Sequence, residues 1–185
     1  MTVVISMLRG VNVGGHNKLK MDDLRALCES LGLRNPQTFI QSGNVVFQTK
    51  ERNLAALAKR IENAIERSFG FRPAVIVRTS AELKDVIARN PFTKRRGIDP
   101  SRLLITFLAS DPSAEAREQV LKIKVEPEEL RIDGREVYIY YPNGMARPKL
   151  PWTTLEKTLK TSGTSRNWNS VTKLLEIAEK LDAAE

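Results

Sequence analysis

Thr38-Phe39-Ile40-Gln41-Ser42-Gly43-Asn44-Val45-Val46-Phe47 decides the fold. Two short runs of β-branched and aromatic residues flank Ser42-Gly43-Asn44, which predicts a tight antiparallel hairpin. On either side of it the apolar period becomes helical. Upstream, Leu24, Leu27, Cys28 and Leu31 follow the i, i+3, i+4, i+7 pattern of an amphipathic helix starting near Met21, with Gly32 suited to its C-terminal cap. Downstream, Leu54, Leu57, Ala58, Ile61, Ile65 and Phe69 predict a second helix that stops at Gly70. An apolar strand, Thr2 to Leu8, precedes the first helix, and a second, Ala74 to Val77, follows the other. The order β-α-β-β-α-β is that of a ferredoxin-like split β-α-β unit. Thr79 and Glu82 then form a capping-box signature for a helix bearing Leu83, Val86 and Ile87.

The second half repeats the order of elements with different residues. Leu103 to Leu108 predicts a strand and Ser113 to Ile123 a helix; Leu130 to Ile132 and Val137 to Tyr140 form a hairpin around Asp133-Gly134-Arg135. Helices are expected at Trp152 to Leu159 and Trp168 to Leu181, the last capped by Ser165 or Asn167. No closing strand is apparent in this copy. The expected fold is therefore α+β: two related ferredoxin-like subdomains with antiparallel sheets, spanning residues 1–90 and 91–185, plus C-terminal helices. Pro91, Gly97 and Pro100 mark the boundary between them.

A chain of 185 residues buries roughly 70% of its unfolded surface on folding, so it needs neither disulfides nor metal to be stable. Its one cysteine, Cys28, lies on an apolar helix stripe, where a structural thiol is expected. No run approaches the roughly 18 apolar residues of a membrane-spanning helix, and the first apolar run is too short for a signal peptide. These features predict a cytoplasmic location and no membrane partner. The net charge of +8 is uneven: residues 1–90 carry 14 Lys/Arg against 8 Asp/Glu, and residues 91–185 carry 16 against 14. A basic surface favours phosphate-bearing partners. Lys94-Arg95-Arg96 is the one compact basic cluster, and it lies in the connector.

The candidate site follows from the topology. In a split β-α-β unit the first two strands run in the same direction, so the loop leaving strand one and the turn after strand two emerge at the same end. This gathers Arg9, Asn12, His16, Asn17, Lys18, Gln41, Ser42 and Asn44 around the backbone of Gly10, Gly14, Gly15 and Gly43. Glycines leading from a strand into a helix present bare N–H groups that suit an anion, although glycine, Asn and Ser also serve turns for purely conformational reasons. Arg166 and Asn167 open another helix and are further candidates for an anion site, forming one pocket with the glycine loop if that N-terminus faces it.

The standard motifs are excluded. Gly10 and Gly15 have P-loop separation, but His16-Asn17 follow and Lys18 comes too late; Asn12 stands where a dinucleotide fingerprint needs glycine. With His16 the only histidine, neither a Cys-His pair nor a zinc cluster can be assembled, and no cofactor or metal is expected. The strands that would stack bases in an RNA-recognition surface are mainly aliphatic. Tyr138, Tyr140 and Tyr141 are either a stacking face or strand residues covering a core edge.

Met7-Leu8-Arg9-Gly10-Val11-Asn12-Val13-Gly14-Gly15-His16-Asn17-Lys18-Leu19-Lys20-Met21, Gln41-Ser42-Gly43-Asn44-Val45-Val46-Phe47 and Arg166-Asn167-Trp168-Asn169-Ser170-Val171 resemble, in that order, the bacterial family known as domain of unknown function 1697. The resemblance implies two ferredoxin-like subdomains and marks its signature residues as candidates for a site; it implies no activity, substrate or cofactor. The expected function is binding of an anionic ligand, a phosphorylated small molecule or nucleic acid. The alternatives are a small-molecule enzyme using His16 or Ser42 at the same end, and a protein-interaction scaffold.

Overall fold

The computed structural model describes residues 1–184. The chain forms two compact units, one made of residues 1–85 and 172–185 and the other of residues 86–171. The first unit holds β1 (Thr2–Leu8), α1 (Met21–Ser30), β2 (Arg34–Phe39), β3 (Asn44–Thr49), α2 (Leu54–Phe69) and β4 (Val75–Thr79). Its sheet has the order β2-β3-β1-β4 with every pair antiparallel, the ferredoxin-like arrangement. The helix α3 (Ser80–Ala88) leaves β4 through the expected capping box: Thr79 N–H donates to Glu82 Oε2 at 2.8 Å and Glu82 N–H to Thr79 Oγ1 at 3.1 Å.

Alternation along the central strands assigns the core. Val4, Leu8, Val45, Phe47, Val75 and Val77 share one apolar cluster with Leu24, Leu27 and Cys28 of α1 and Leu57, Ile61 and Ile65 of α2. The cysteine is a structural thiol: burial, reinforced by Glu29, pushes it up to about 12. On the other face Val3, Ile5, Met7 and Val46 are equally buried. The C-terminal half of the last helix belongs to this unit, with Leu174, Ala178 and Leu181 buried and Gln48 Nε2 donating to Leu181 O at 3.3 Å.

The second unit holds β5 (Leu103–Leu108), α4 (Ala114–Leu121), β6 (Glu129–Asp133), β7 (Glu136–Tyr140), α5 (Trp152–Leu159) and β8 (Gly163–Asn167), and α6 (Trp168–Ala183) begins in it. Its sheet order, β6-β7-β5-β8, is the order of the first sheet. The closing strand that the sequence pattern lacked is therefore present as β8. It escaped notice because Gly163-Thr164-Ser165-Arg166-Asn167 has no apolar alternation; β5 defines it instead. A Cβ on Gly163 would stand 2.9 Å from Thr106 Cγ2 and 3.0 Å from Phe107 O, and the Thr106 and Ser165 hydroxyls share a hydrogen bond of 2.7 Å. With Ser165 in the strand, Asn167 caps α6 and accepts from Ser170 N–H at 2.8 Å.

The tyrosines are interior residues. Tyr138 is fully buried and donates to Val86 O at 2.6 Å, Tyr140 accepts from Asp99 N–H at 3.3 Å, and Tyr141 lies in the second core. They offer no stacking face. Arg95 of the basic cluster is held by both oxygens of Glu129 at 2.6 Å and lies over the Tyr140 ring. Among the described residues, no helix is long and apolar enough to cross a membrane.

Candidate functional site

β1 and β2 end on the same side of the first sheet, and the two predicted segments meet there. Leu8 N–H donates to Gly43 O at 2.9 Å, and Asn12 Nδ2 reaches Gln41 O at 2.7 Å. Residues 9–20 do not wander between β1 and α1; they fold back as a miniature hairpin. Asn12 N–H donates to Asn17 O at 3.1 Å and His16 N–H to Val13 O at 2.9 Å. Gly14 and Gly15, at φ of 57° and 76°, supply the pair of left-handed residues that a two-residue turn of this hand requires.

Four of the eight predicted polar side chains, Asn12, Asn17, Ser42 and Asn44, are used in building this loop and the turn beside it. Asn12, itself left-handed at φ 55°, also donates to Leu19 O and accepts from Leu19 N–H, both at 2.8 Å, so one side chain ties both stems of the loop to the β2–β3 connection. Asn17 Nδ2 donates to Gly10 O at 3.1 Å. Asn44 is wholly buried and donates to Phe39 O at 3.0 Å and to Ser42 Oγ at 2.9 Å. Gly43 is obligatory for two reasons: its φ is 84°, and a Cβ there would lie 2.9 Å from Leu8 Cβ.

Of the other predicted residues, Gly10, Gly14, Gly15, His16, Lys18 and Gln41 are exposed, with Arg9 half-buried beside its backbone bond to Ala74 O. A cleft of about 400 Å³ opens against this hairpin, lined by Asn12, Lys18, Leu19, Lys20, Asp23, Gln41 and Phe69. A second of about 410 Å³ shares Lys20 and Gln41 with it and continues past Arg25, Thr38 and Ile40. Sequence reasoning missed Lys20, Asp23, Arg25 and Phe69 as lining residues. The signal for Lys20 was its place just before α1, whose N-terminus has no side-chain cap.

Arg166 and Asn167 lie in the second unit. Arg166 is buried in β8, where Nη1 donates to Thr164 Oγ1 at 2.8 Å and to Ser165 O at 2.9 Å; burial lowers its pKa to about 10. Asn167 serves α6 as its cap. Arg78 in β4 repeats this arrangement: it faces Ile5 as Arg166 faces Ile105, and its Nη1 donates to Val77 O at 2.9 Å. Each copy thus closes on a buried arginine followed by a capping residue.

Two split β-α-β plaits of identical strand order, the first bearing a glycine hairpin, define the class. Residues 1–138 match the family described as "Protein of unknown function (DUF1697)", and the chain belongs to that family. Among solved structures it is similar to the conserved bacterial protein SP0830 from Streptococcus pneumoniae, at 20% identity and a TM-score of 0.73, over 96% of this chain and 98% of that one. No protein of curated function matches it.

Proposed function

We propose that this chain binds an anionic, phosphate-bearing ligand, a small molecule or a nucleic-acid strand, at the glycine hairpin of the first unit. One observation carries the reading. The same connection from first strand to first helix takes residues 9–20 in the first unit and only residues 109–113 in the second, so the topology does not require the longer loop. An elaborate exposed loop on a rigid scaffold is where ligand contacts are commonly built. The hairpin ends beside Lys18 and Lys20, and both cations line the cleft. The N-terminus of α1 follows directly, and its dipole favours negative charge.

The enzyme alternative has less support, because the Ser42 hydroxyl accepts from Asn44 and is held in the turn. A thermal-shift screen over nucleotides, sugar phosphates and short oligonucleotides tests the proposal, since a ligand of the folded state alone raises the melting temperature. The affinity of a ligand found in this way falls with salt, and Lys18→Ala flattens that dependence. A salt-independent affinity that survives Lys18→Ala and Lys20→Ala rejects the reading.

A further inference from the structure

The cleft of about 400 Å³ beside the glycine hairpin is lined by groups of two kinds. Leu19 and Phe69 supply apolar surface. Phe69, the last residue of α2, is only half-buried, so part of it remains outside the core against which it packs. Lys18, Lys20, Asp23 and Gln41 supply the polar groups. All four are exposed, and among the described residues their side chains take part in no hydrogen bond or ion pair. The adjoining cleft, which shares Lys20 and Gln41, adds Asp22 and Arg25; these two charges pair with each other, and Arg25 also donates to Thr38 Oγ1. Two cations, one carboxylate, one amide and an aromatic residue therefore remain uncommitted.

A bare phosphate or a sugar phosphate would meet the lysines but leave Phe69 and Leu19 unmatched, and it would bring a like charge towards Asp23. A nucleotide uses the aromatic residue as well, since every base has a π face that stacks on such a ring. Asp23 then selects the base. An ionised carboxylate only accepts hydrogen bonds, through two oxygens. Among the common bases guanine alone carries two adjacent donors on one edge, N1–H and the 2-amino group. Adenine and cytosine set a ring nitrogen acceptor beside their amino group, which would face Asp23 with a lone pair. The Gln41 amide, able to donate, suits the guanine O6. A phosphate monoester carries about −1.5 to −2 charges at neutral pH, which two lysines balance.

We infer that this cleft takes a guanine mononucleotide, its base against Phe69, its N1–H and 2-amino group donating to Asp23, and its phosphate at Lys18 and Lys20. The inference rests on the anion reading above and adds the base to it. Isothermal titration of the full chain with GMP, IMP, AMP and ribose 5-phosphate at one ionic strength tests it. GMP is expected to bind saturably, at least about fivefold more tightly than IMP, which lacks the 2-amino group, and at least about tenfold more tightly than AMP or ribose 5-phosphate.

The decisive variant is Asp23→Asn, altered at an exposed position. At a site that reads phosphate alone, removing a nearby negative charge strengthens every one of these ligands. Here it is expected to weaken GMP at least about tenfold while AMP binds no worse. Phe69→Leu, which keeps an apolar residue against the core, is expected to weaken GMP at least about fivefold and to change ribose 5-phosphate less than about twofold. If that variant does not fold, Asp23→Asn decides alone. GMP no tighter than AMP or ribose 5-phosphate, or strengthened by Asp23→Asn, overturns the inference and leaves the anion reading standing. Binding of GMP that ignores salt, or no binding by any phosphorylated ligand, removes both.

Discussion

The two sheets are built to one register, and they differ where the first strand hands over to the first helix. Met7 pairs with Asn44 and Leu8 with Val75; Phe107 pairs with Glu136 and Leu108 with Gly163. Leu8 N–H reaches Gly43 O as Leu108 N–H reaches Arg135 O, and Arg9 N–H reaches Ala74 O as Ala109 N–H reaches Ser162 O, the latter two bonds at 2.9 Å. Even the buried polar residue opening the third strand is retained in kind. Asn44 is satisfied by the turn around it, whereas Glu136 is paired with Arg89 at 3.2 Å. Beyond these shared bonds the units part. In the second, Arg117 closes the short connection directly, bonding Gly134 O and pairing with Asp111. In the first, Asn12 performs the same tie while holding up a hairpin. One scaffold with two closures shows which residues the plait needs and which were added to it.

The close approaches in the two sheets provide the most severe test. Gly43→Ala combines a left-handed backbone with a Cβ 2.9 Å from Leu8 Cβ, and the expected loss is about 3 kcal/mol. Gly163→Ala meets Thr106 Cγ2 at the same 2.9 Å, but no positive φ is involved, so about 2 kcal/mol is expected. Urea unfolding of both variants measures the difference; equal losses would mean that backbone conformation contributes nothing at Gly43.

The two ties come next. Asn12→Ala removes three hydrogen bonds of 2.7–2.8 Å and places alanine at φ 55°, for an expected loss of about 2 kcal/mol. Arg117→Ala removes a partly exposed ion pair and contacts to two carbonyls, with about 1 kcal/mol expected. Amide exchange should locate the Asn12 effect in residues 9–20. Protection lost evenly across the first unit would show instead that the hairpin is part of the core.

The same comparison explains what the sequence made visible. Central strands such as Val3-Val4-Ile5 and Val45-Val46-Phe47, and helices with a clear stripe, announce themselves because both depend on burying apolar side chains at a fixed period. Edge strands are uneven in this respect: β4 and β6 keep enough apolar residues to be read, whereas β2 and β8 do not. β2 runs from Arg34, not from Thr38, through Asn35 and Pro36, with a register shift between Arg34 and Gln37 and most of its residues at least partly exposed. Proline and polar residues are tolerated there because one side of an edge strand pairs with nothing in the sheet. β8 was hidden for a similar reason. At the candidate site, the segments that meet followed from topology, but the roles of Asn12, Asn17, Ser42 and Asn44 did not. The groups that hold a turn are those that could hold a ligand, and only their partners distinguish the two. Phe69 and Lys20 come from separate segments that no local pattern links.

The smallest effect separates structure from function at the two equivalent helix starts. Ser113 caps α4 by accepting from Ala116 N–H at 3.1 Å, whereas Lys20 precedes α1 and caps nothing. Ser113→Ala should therefore cost about 1 kcal/mol, and Lys20→Ser should gain about 0.5 kcal/mol by supplying the missing acceptor. A stabilising change at a surface position commonly interferes with binding where the native residue serves a ligand. Lys20→Ser is thus expected to raise the melting temperature by about one to two degrees while weakening the binding of the anionic ligand found by the screen. If it stabilises the protein and leaves that binding untouched, Lys20 is only an uncapped helix start, and the anion site must be held by Lys18 and the hairpin backbone.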